Sequence, residues 1–168
     1  MERFWNIVHY FVYRGNYKLH LWFNYINLVR WILIIPAVKR FYAKKGINIL
    51  EEGEKAFKRP DFGISSIWAG GFMYVLVFLI FFGLVIYIFG IIRLDYTLNL
   101  FHFFIILSIP FVVNYFLLFK QNKYLIYFKE FEKMPREDKK KWAWISFVVI
   151  ISILLFFIGS FVYMSYRL

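Results

Sequence analysis

Cysteine is absent from the 168 residues, so disulfides, thiolate metal sites and thiol nucleophiles are excluded, and the redox compartment stays undetermined. Acidic residues are scarce, ten against twenty-one Lys and Arg. The three most apolar stretches hold no charged residue between their ends. Ion-coupled transporters and proton pumps usually need such a residue at mid-membrane, so that class is disfavoured. No phosphate-binding loop, Gly-x-Ser-x-Gly elbow or His-Glu-x-x-His pair occurs. With only three histidines, metal and acid–base chemistry lack ligands and proton carriers. The expectation is a non-enzymatic protein with no cofactor and no bound metal. Small residues are also sparse. There is no Gly-x-x-x-Gly motif; Ser66 with Gly70, and Ser152 with Gly159, are the pairs that would let helices approach closely.

What the chain has instead is apolar surface. Hydrophobic residues make up 62% and aromatic residues 25%, with a mean hydropathy of +0.61. Soluble proteins carry roughly 45–50% apolar residues, so composition alone points to a membrane protein. The organising stretch is Phe62 to Ile92, thirty-one residues without a formal charge. About twenty apolar residues cross a hydrocarbon core of about 30 Å as a helix, and a helix apolar on every side has no place at the surface of a small soluble domain. The expected fold is an all-α integral membrane protein with three transmembrane helices, Phe62–Ile92, Leu98–Phe119 and Trp142–Tyr166. Arg93 to Thr97 is short enough to make the first two an antiparallel hairpin. Pro110 is expected to kink the second. Trp142 and Trp144 at one end of the third, with Tyr163 and Tyr166 at the other, match aromatic belts.

The chain divides at residue 61 into an N-terminal membrane-associated part (1–61) and the three-span region (62–168). Met1 to Tyr13 lacks the basic start, apolar core and small-residue cleavage site of a signal peptide, so it is expected to be retained. Within it, Glu2, Arg3, Asn6 and His9 share one helical face. Phe4, Ile7, Val8, Phe11 and Val12 lie opposite, as in an amphipathic helix in the interface plane. Gly15-Asn16 is expected to break it. A second helix is expected from about Tyr17 to Lys45, ended by Gly46. Its apolar part, Leu19 to Val38, is long enough to cross, yet His20, Asn24, Asn27 and Arg30 line one flank. A central arginine costs about 2.5–3.5 kcal/mol on insertion scales, against about 0.3–0.6 returned by each Leu or Ile. The segment therefore crosses only if a bundle covers that flank, and otherwise lies at the surface. Residues 47–61 read as a polar connection.

The net charge of +11 is placed by topology and does not imply nucleic acid. Residues 39–59 hold seven Lys or Arg and residues 120–141 hold eight, fifteen of the twenty-one. The positive-inside rule puts both connections in the cytoplasm and the C-terminus outside. Phe, Ile, Lys, Tyr and Asn are favoured over Ala, Gly and Arg, the bias of an AT-rich bacterial genome, so the expected location is the plasma (inner) membrane.

The polar candidates are few. His20, Asn24, Asn27 and Arg30 form either a polar lining or a set of headgroup contacts. Asn99, His102 and Asn114 are expected to make polar contacts between helices. Arg136, Lys139, Lys140 and Lys141 form a cytoplasmic basic cluster able to meet anionic lipid or to anchor topology. The function these features favour is an oligomerising or accessory subunit of a membrane assembly, with the bilayer and other subunits or copies of itself as partners. The alternative is an oligomeric pore or channel lined by the polar stripe of residues 20–30.

Overall fold

The structure, a computed structural model, describes all residues except 24, 25, 27, 47, 93–98 and 168, and describes the backbone alone of 28–30, 49, 50 and 167. Among the described residues the chain is all-helical, without strands. Its helices are α1 (Glu2–Phe23), α2 (Leu28–Ile34), α3 (Pro36–Lys44), α4 (Ile49–Lys58), α5 (Ile64–Ile92), α6 (Leu100–Asn114), α7 (Lys123–Glu132) and α8 (Arg136–Arg167). Three helical stretches are long and apolar enough to cross a membrane: Ile64–Ile92, Leu100–Glu132 and Arg136–Tyr166.

Local chemistry sets several boundaries. Asn99 caps α6, its side-chain oxygen accepting from the His102 backbone N–H at 3.2 Å. Pro135 precedes α8, whose first turn carries Glu137 and Asp138 where acids complement the helix dipole. The amine of Lys139 donates to the Glu132 carbonyl at 2.6 Å, meeting an orphan acceptor at the end of α7.

Four boundaries differ from expectation. Helix α1 runs through Gly15 and Asn16 to Phe23 without a break. A mid-helix glycine costs only about 1 kcal/mol. Contacts of this half with the stretch after it offset that: the Tyr13 hydroxyl bonds the Lys58 carbonyl, and the His20 ring stacks on Phe57 with centroids 3.4 Å apart. The expected helix from Tyr17 to Lys45 is not one helix. Its α2 and α3 portions are interrupted at Ile35, whose ψ of 128° is extended because Pro36 follows. The supposed polar connection at 47–61 contains helix α4. Finally, the second apolar stretch, expected to be helical to Phe119, keeps regular α-helix only to Asn114, with Pro110 inside it. After α6 comes a π-turn, Tyr115–Phe119, then a 3₁₀ turn, Lys120–Asn122, in which Gln121 and Asn122 are left-handed at φ 59° and 54°. The expected hairpin turn at Arg93–Thr97 lies outside the described residues.

The packing groups into two compact units, Met1–Phe11 with Gly71–Leu168, and Val12–Gly70. In the first, α5 and α8 run parallel and meet at glycines seven apart. A Cβ at Gly83 would stand 3.0 Å from the Phe156 ring, and one at Gly90 would stand 3.1 Å from the Tyr163 ring. The spacing of seven is that of left-handed helix crossing, and glycine lets the backbones close up. Helix α6 runs antiparallel to α5. Phe82 touches Phe103 on α6 and Phe157 and Phe161 on α8, with ring centroids 6.0–6.3 Å apart. The Tyr74 hydroxyl reaches the Leu107 carbonyl at 2.6 Å. In the second unit, α2 lies against α4, α4 meets the latter half of α1 through the His20–Phe57 stack, and the Ser66 hydroxyl bonds the Pro60 carbonyl at 2.7 Å ahead of the long apolar helix.

Candidate functional site

Among the described residues, a dense polar cluster lies where the start of α1 meets the break between α6 and α7. Breaking a helix leaves carbonyls without intrahelical donors, and buried ones need partners. Asn6 supplies one: its side-chain N–H groups donate to the Leu117 carbonyl and to its own helix at Glu2, both at 2.9 Å. Three residues earlier along the second apolar stretch, Asn114 joins three helices. It accepts from the Trp5 indole N–H at 3.0 Å, and donates to the carbonyls of Met73 at 3.2 Å and Pro110 at 3.0 Å.

Charges rim the same contact. The Lys123 amine donates to the Glu2 carboxylate at 2.6 Å, and the Tyr127 hydroxyl donates to its other oxygen at 3.2 Å. The bond from Lys123 is the main reason the Glu2 carboxyl is held below the usual carboxylate range. Arg3 makes a more exposed pair with Glu130 at 2.8 Å. Exposed pairs of this kind contribute about 0–1 kcal/mol and serve chiefly to fix register.

At the centre sits His9, fully buried against the rings of Phe119, Tyr124 and Phe128 at 6.3, 5.7 and 5.1 Å. Neither of its ring nitrogens has a hydrogen-bond partner, nor has the side-chain oxygen of Asn6 one turn away. Burial pushes the imidazole down to about 3, so at neutral pH it is uncharged. The face Glu2-Arg3-Asn6-His9 is therefore not the wet side of an interfacial helix. Asn6 and His9 are wholly inside the protein, together with Ile7, Val8 and Tyr10.

The other sequence candidates are dispersed. Asn99 and His102 bond each other within the first turn of α6, where Asn99 serves as the cap. Asn24 and Asn27 lie outside the described residues, and Arg30 is described by its backbone alone, in α2. His20, at the end of α1, lines an open recess of about 320 Å³ with Asn16, Leu19, Phe23, Phe57, Ser65 and Trp68. In the basic cluster, Lys139 is engaged with Glu132, while Lys140 borders an open recess of about 350 Å³ with Ala143, Trp144 and Phe147. Among the described residues, Arg136, Lys140 and Lys141 make no ion pair. No group of three His, Asp or Glu side chains able to hold a metal converges among the described residues.

The cluster at α1 thus combines two roles. Its outer pairs and Asn114 hold α1 in place, and its core keeps a neutral imidazole away from water. Sequence reasoning found the shared face of Glu2, Arg3, Asn6 and His9 but not its partners, Lys123, Tyr127, Leu117 and Glu130. No protein-family model, curated protein or solved structure matches this chain. What the fold itself defines is a class: an all-helical protein with three helices long and apolar enough to span a membrane.

Proposed function

We propose that the protein is a three-span integral membrane protein that acts, without catalysis, as an oligomerising or accessory subunit of a larger membrane assembly. The observation that carries this is how little of the apolar surface the chain covers for itself. In the most apolar windows of the three long helices, 28%, 17% and 17% of residues are buried. The α8 face bearing Ser152 and Gly159 also stays open, with nothing within 4 Å of a Cβ placed at Gly159. Lipid covers part of such a surface, and close helix approach in a membrane uses faces with small residues. The parallel course of α5 and α8, with α6 antiparallel between them in sequence, fits three crossings. The basic connections 39–59 and 120–141 then fall on one side, cytoplasmic by the positive-inside rule, and the C-terminus on the other.

Two measurements test this. The protein solubilised from its native membrane is expected to run as a complex several times its own 20.6 kDa after the detergent is subtracted. A monomer mass overturns the subunit reading. In intact cells, cysteines at Glu52 and Glu137 of this cysteine-free chain should resist a membrane-impermeant thiol reagent, while one at Thr97 should react. The reverse pattern overturns the topology.

A further inference from the structure

We propose that α2 and α3 form an interfacial anchor, lying in the headgroup plane of a leaflet rich in anionic phospholipid and not crossing the bilayer; this rests on the reading of the stretches Ile64–Ile92, Leu100–Glu132 and Arg136–Tyr166 as spans. Length comes first. The two helices have seven and nine residues, so even laid end to end they reach about 24 Å, short of a hydrocarbon core of about 30 Å. They are also interrupted at Ile35, and backbone groups freed by an interruption are tolerated at the headgroup level, where water meets them, but not in hydrocarbon.

Charge selects the kind of lipid. From Arg3 to Leu50 the chain has no Asp or Glu, and it has eight Lys or Arg. Helix α3 and its cap contribute four of these: Lys39, Arg40, Lys44 and Lys45. Among the described residues, none of the four has a carboxylate partner. By contrast, two of the three acids of α4, Glu51 and Glu52, are engaged locally, both with Lys55. A row of cations without carboxylate partners complements phosphate headgroups, each one favouring attachment to an anionic surface by about fivefold.

The apolar side completes the match. On α3, Val38, Phe41 and Tyr42 share a face opposite Lys39, Arg40 and Lys44, and Phe41 is 55% exposed. The Lys45 amine lies over the Phe41 ring, 4.5 Å from its centroid, as a lysine does when its stem follows apolar surface and its ammonium turns to the headgroups. Trp31, Ile32, Ile34 and Ile35 of the preceding stretch are also exposed. The same compact unit contains the first residues of the long apolar helix α5, where Ile67 and Trp68 are exposed. Chain connectivity therefore holds α2 and α3 near the level at which α5 begins.

The test uses single cysteines carrying nitroxides, at Phe41, Arg40 and Leu155, in the full-length protein reconstituted in phosphatidylcholine vesicles with and without phosphatidylglycerol. Leu155, exposed in the middle of α8, is the control: if its label meets a water-soluble nickel chelate more than oxygen, the spans themselves are wrong. With Leu155 deep, the label at Phe41 should favour oxygen at a shallower depth in the anionic vesicles, and that at Arg40 should favour nickel. Replacing Lys44 and Lys45 with Gln should lower the attached-to-detached ratio at Phe41 about 30-fold, as should omitting phosphatidylglycerol in direction. Nickel access at Phe41 equal to that at Arg40 overturns the anchor. Labels at Phe41 and Arg40 both as deep as Leu155 would make the segment a span and overturn it too. Protection indifferent to lipid charge, or spin–spin broadening at Phe41 showing a second copy there, overturns the assignment to anionic lipid.

Discussion

Acidification should loosen the start of α1, and His9 should be the reason. In an undocked α1 the imidazole has an ordinary value of 6.5, and in place it is pushed to about 3. A folded value below the free one means the stabilisation is fully present above about pH 6.5 and declines as pH falls toward about 3. One unit corresponds to 1.36 kcal/mol. At pH 5 the undocked state therefore gains about 2 kcal/mol, a shift of about 30-fold in the opening equilibrium. Between pH 7 and 5 the His9 effect dominates, because the bond from Lys123 holds the Glu2 carboxyl below the usual carboxylate range. The groups around the ring offer no compensation: Phe119, Tyr124 and Phe128 supply no carboxylate to pair with an imidazolium. Hydrogen exchange at the amides of Ile7 to Tyr13, corrected for intrinsic rate, would measure the opening. His9→Leu should abolish the pH dependence. It should also raise protection at pH 7 by about 1–3 kcal/mol, since two buried nitrogens without partners are removed. An equal pH response in His9→Leu and the wild type would refute the reasoning.

Two further substitutions probe the packing. Asn114→Leu should cost about 1–3 kcal/mol in reversible unfolding, because it strands the Trp5 indole N–H; in a Trp5→Phe background the cost should shrink, and an undiminished cost would deny the bond its importance. Gly90→Leu should destabilise by about 1–3 kcal/mol, since even its Cβ meets the Tyr163 ring at 3.1 Å and the Met164 Cα at 3.3 Å. Gly159→Leu, with open space around it, should change the stability of the single chain by no more than about 0.5 kcal/mol. Equal effects at the two glycines would show that α5 and α8 do not meet as described.

The long apolar helices were plain in the sequence because a run greasy on all sides allows few other structures. Elsewhere the local pattern was legible but its partner was not. Periodicity put Glu2, Arg3, Asn6 and His9 on one face, yet whether that face meets water or protein depended on a helix break far along the chain. Nothing as loud as Gly or Pro marks that break. Its one cue is Asn122, a residue type that tolerates left-handed backbone. At α2–α3 the cue was present and underweighted: a residue before proline is steered out of helix, so Ile35 ahead of Pro36 was a natural interruption. Gly83 and Gly90 have the same spacing of seven as Ser152 and Gly159. Spacing alone does not say which pair another helix will fill, because that depends on bulk supplied by the neighbour, here Phe156 and Tyr163. Asn99 and His102 at i and i+3 suit a helix cap as well as a bridge, and Asn99 does cap α6.

The docking of α1 also carries a schedule. Asn6 and the Leu117 carbonyl it serves are 111 residues apart, and Arg3 and Glu130 are 127 apart. At translation speeds of about 5–20 residues per second, that separation leaves the Glu2–His9 face without its partners for roughly 6–25 s during synthesis. Throughout that interval the nascent segment is an amphipathic helix with an unsatisfied polar side, and a membrane surface is the place where such a helix can wait. The buried clasp around His9 is thus a late product of synthesis, closed only once the chain beyond Glu130 exists.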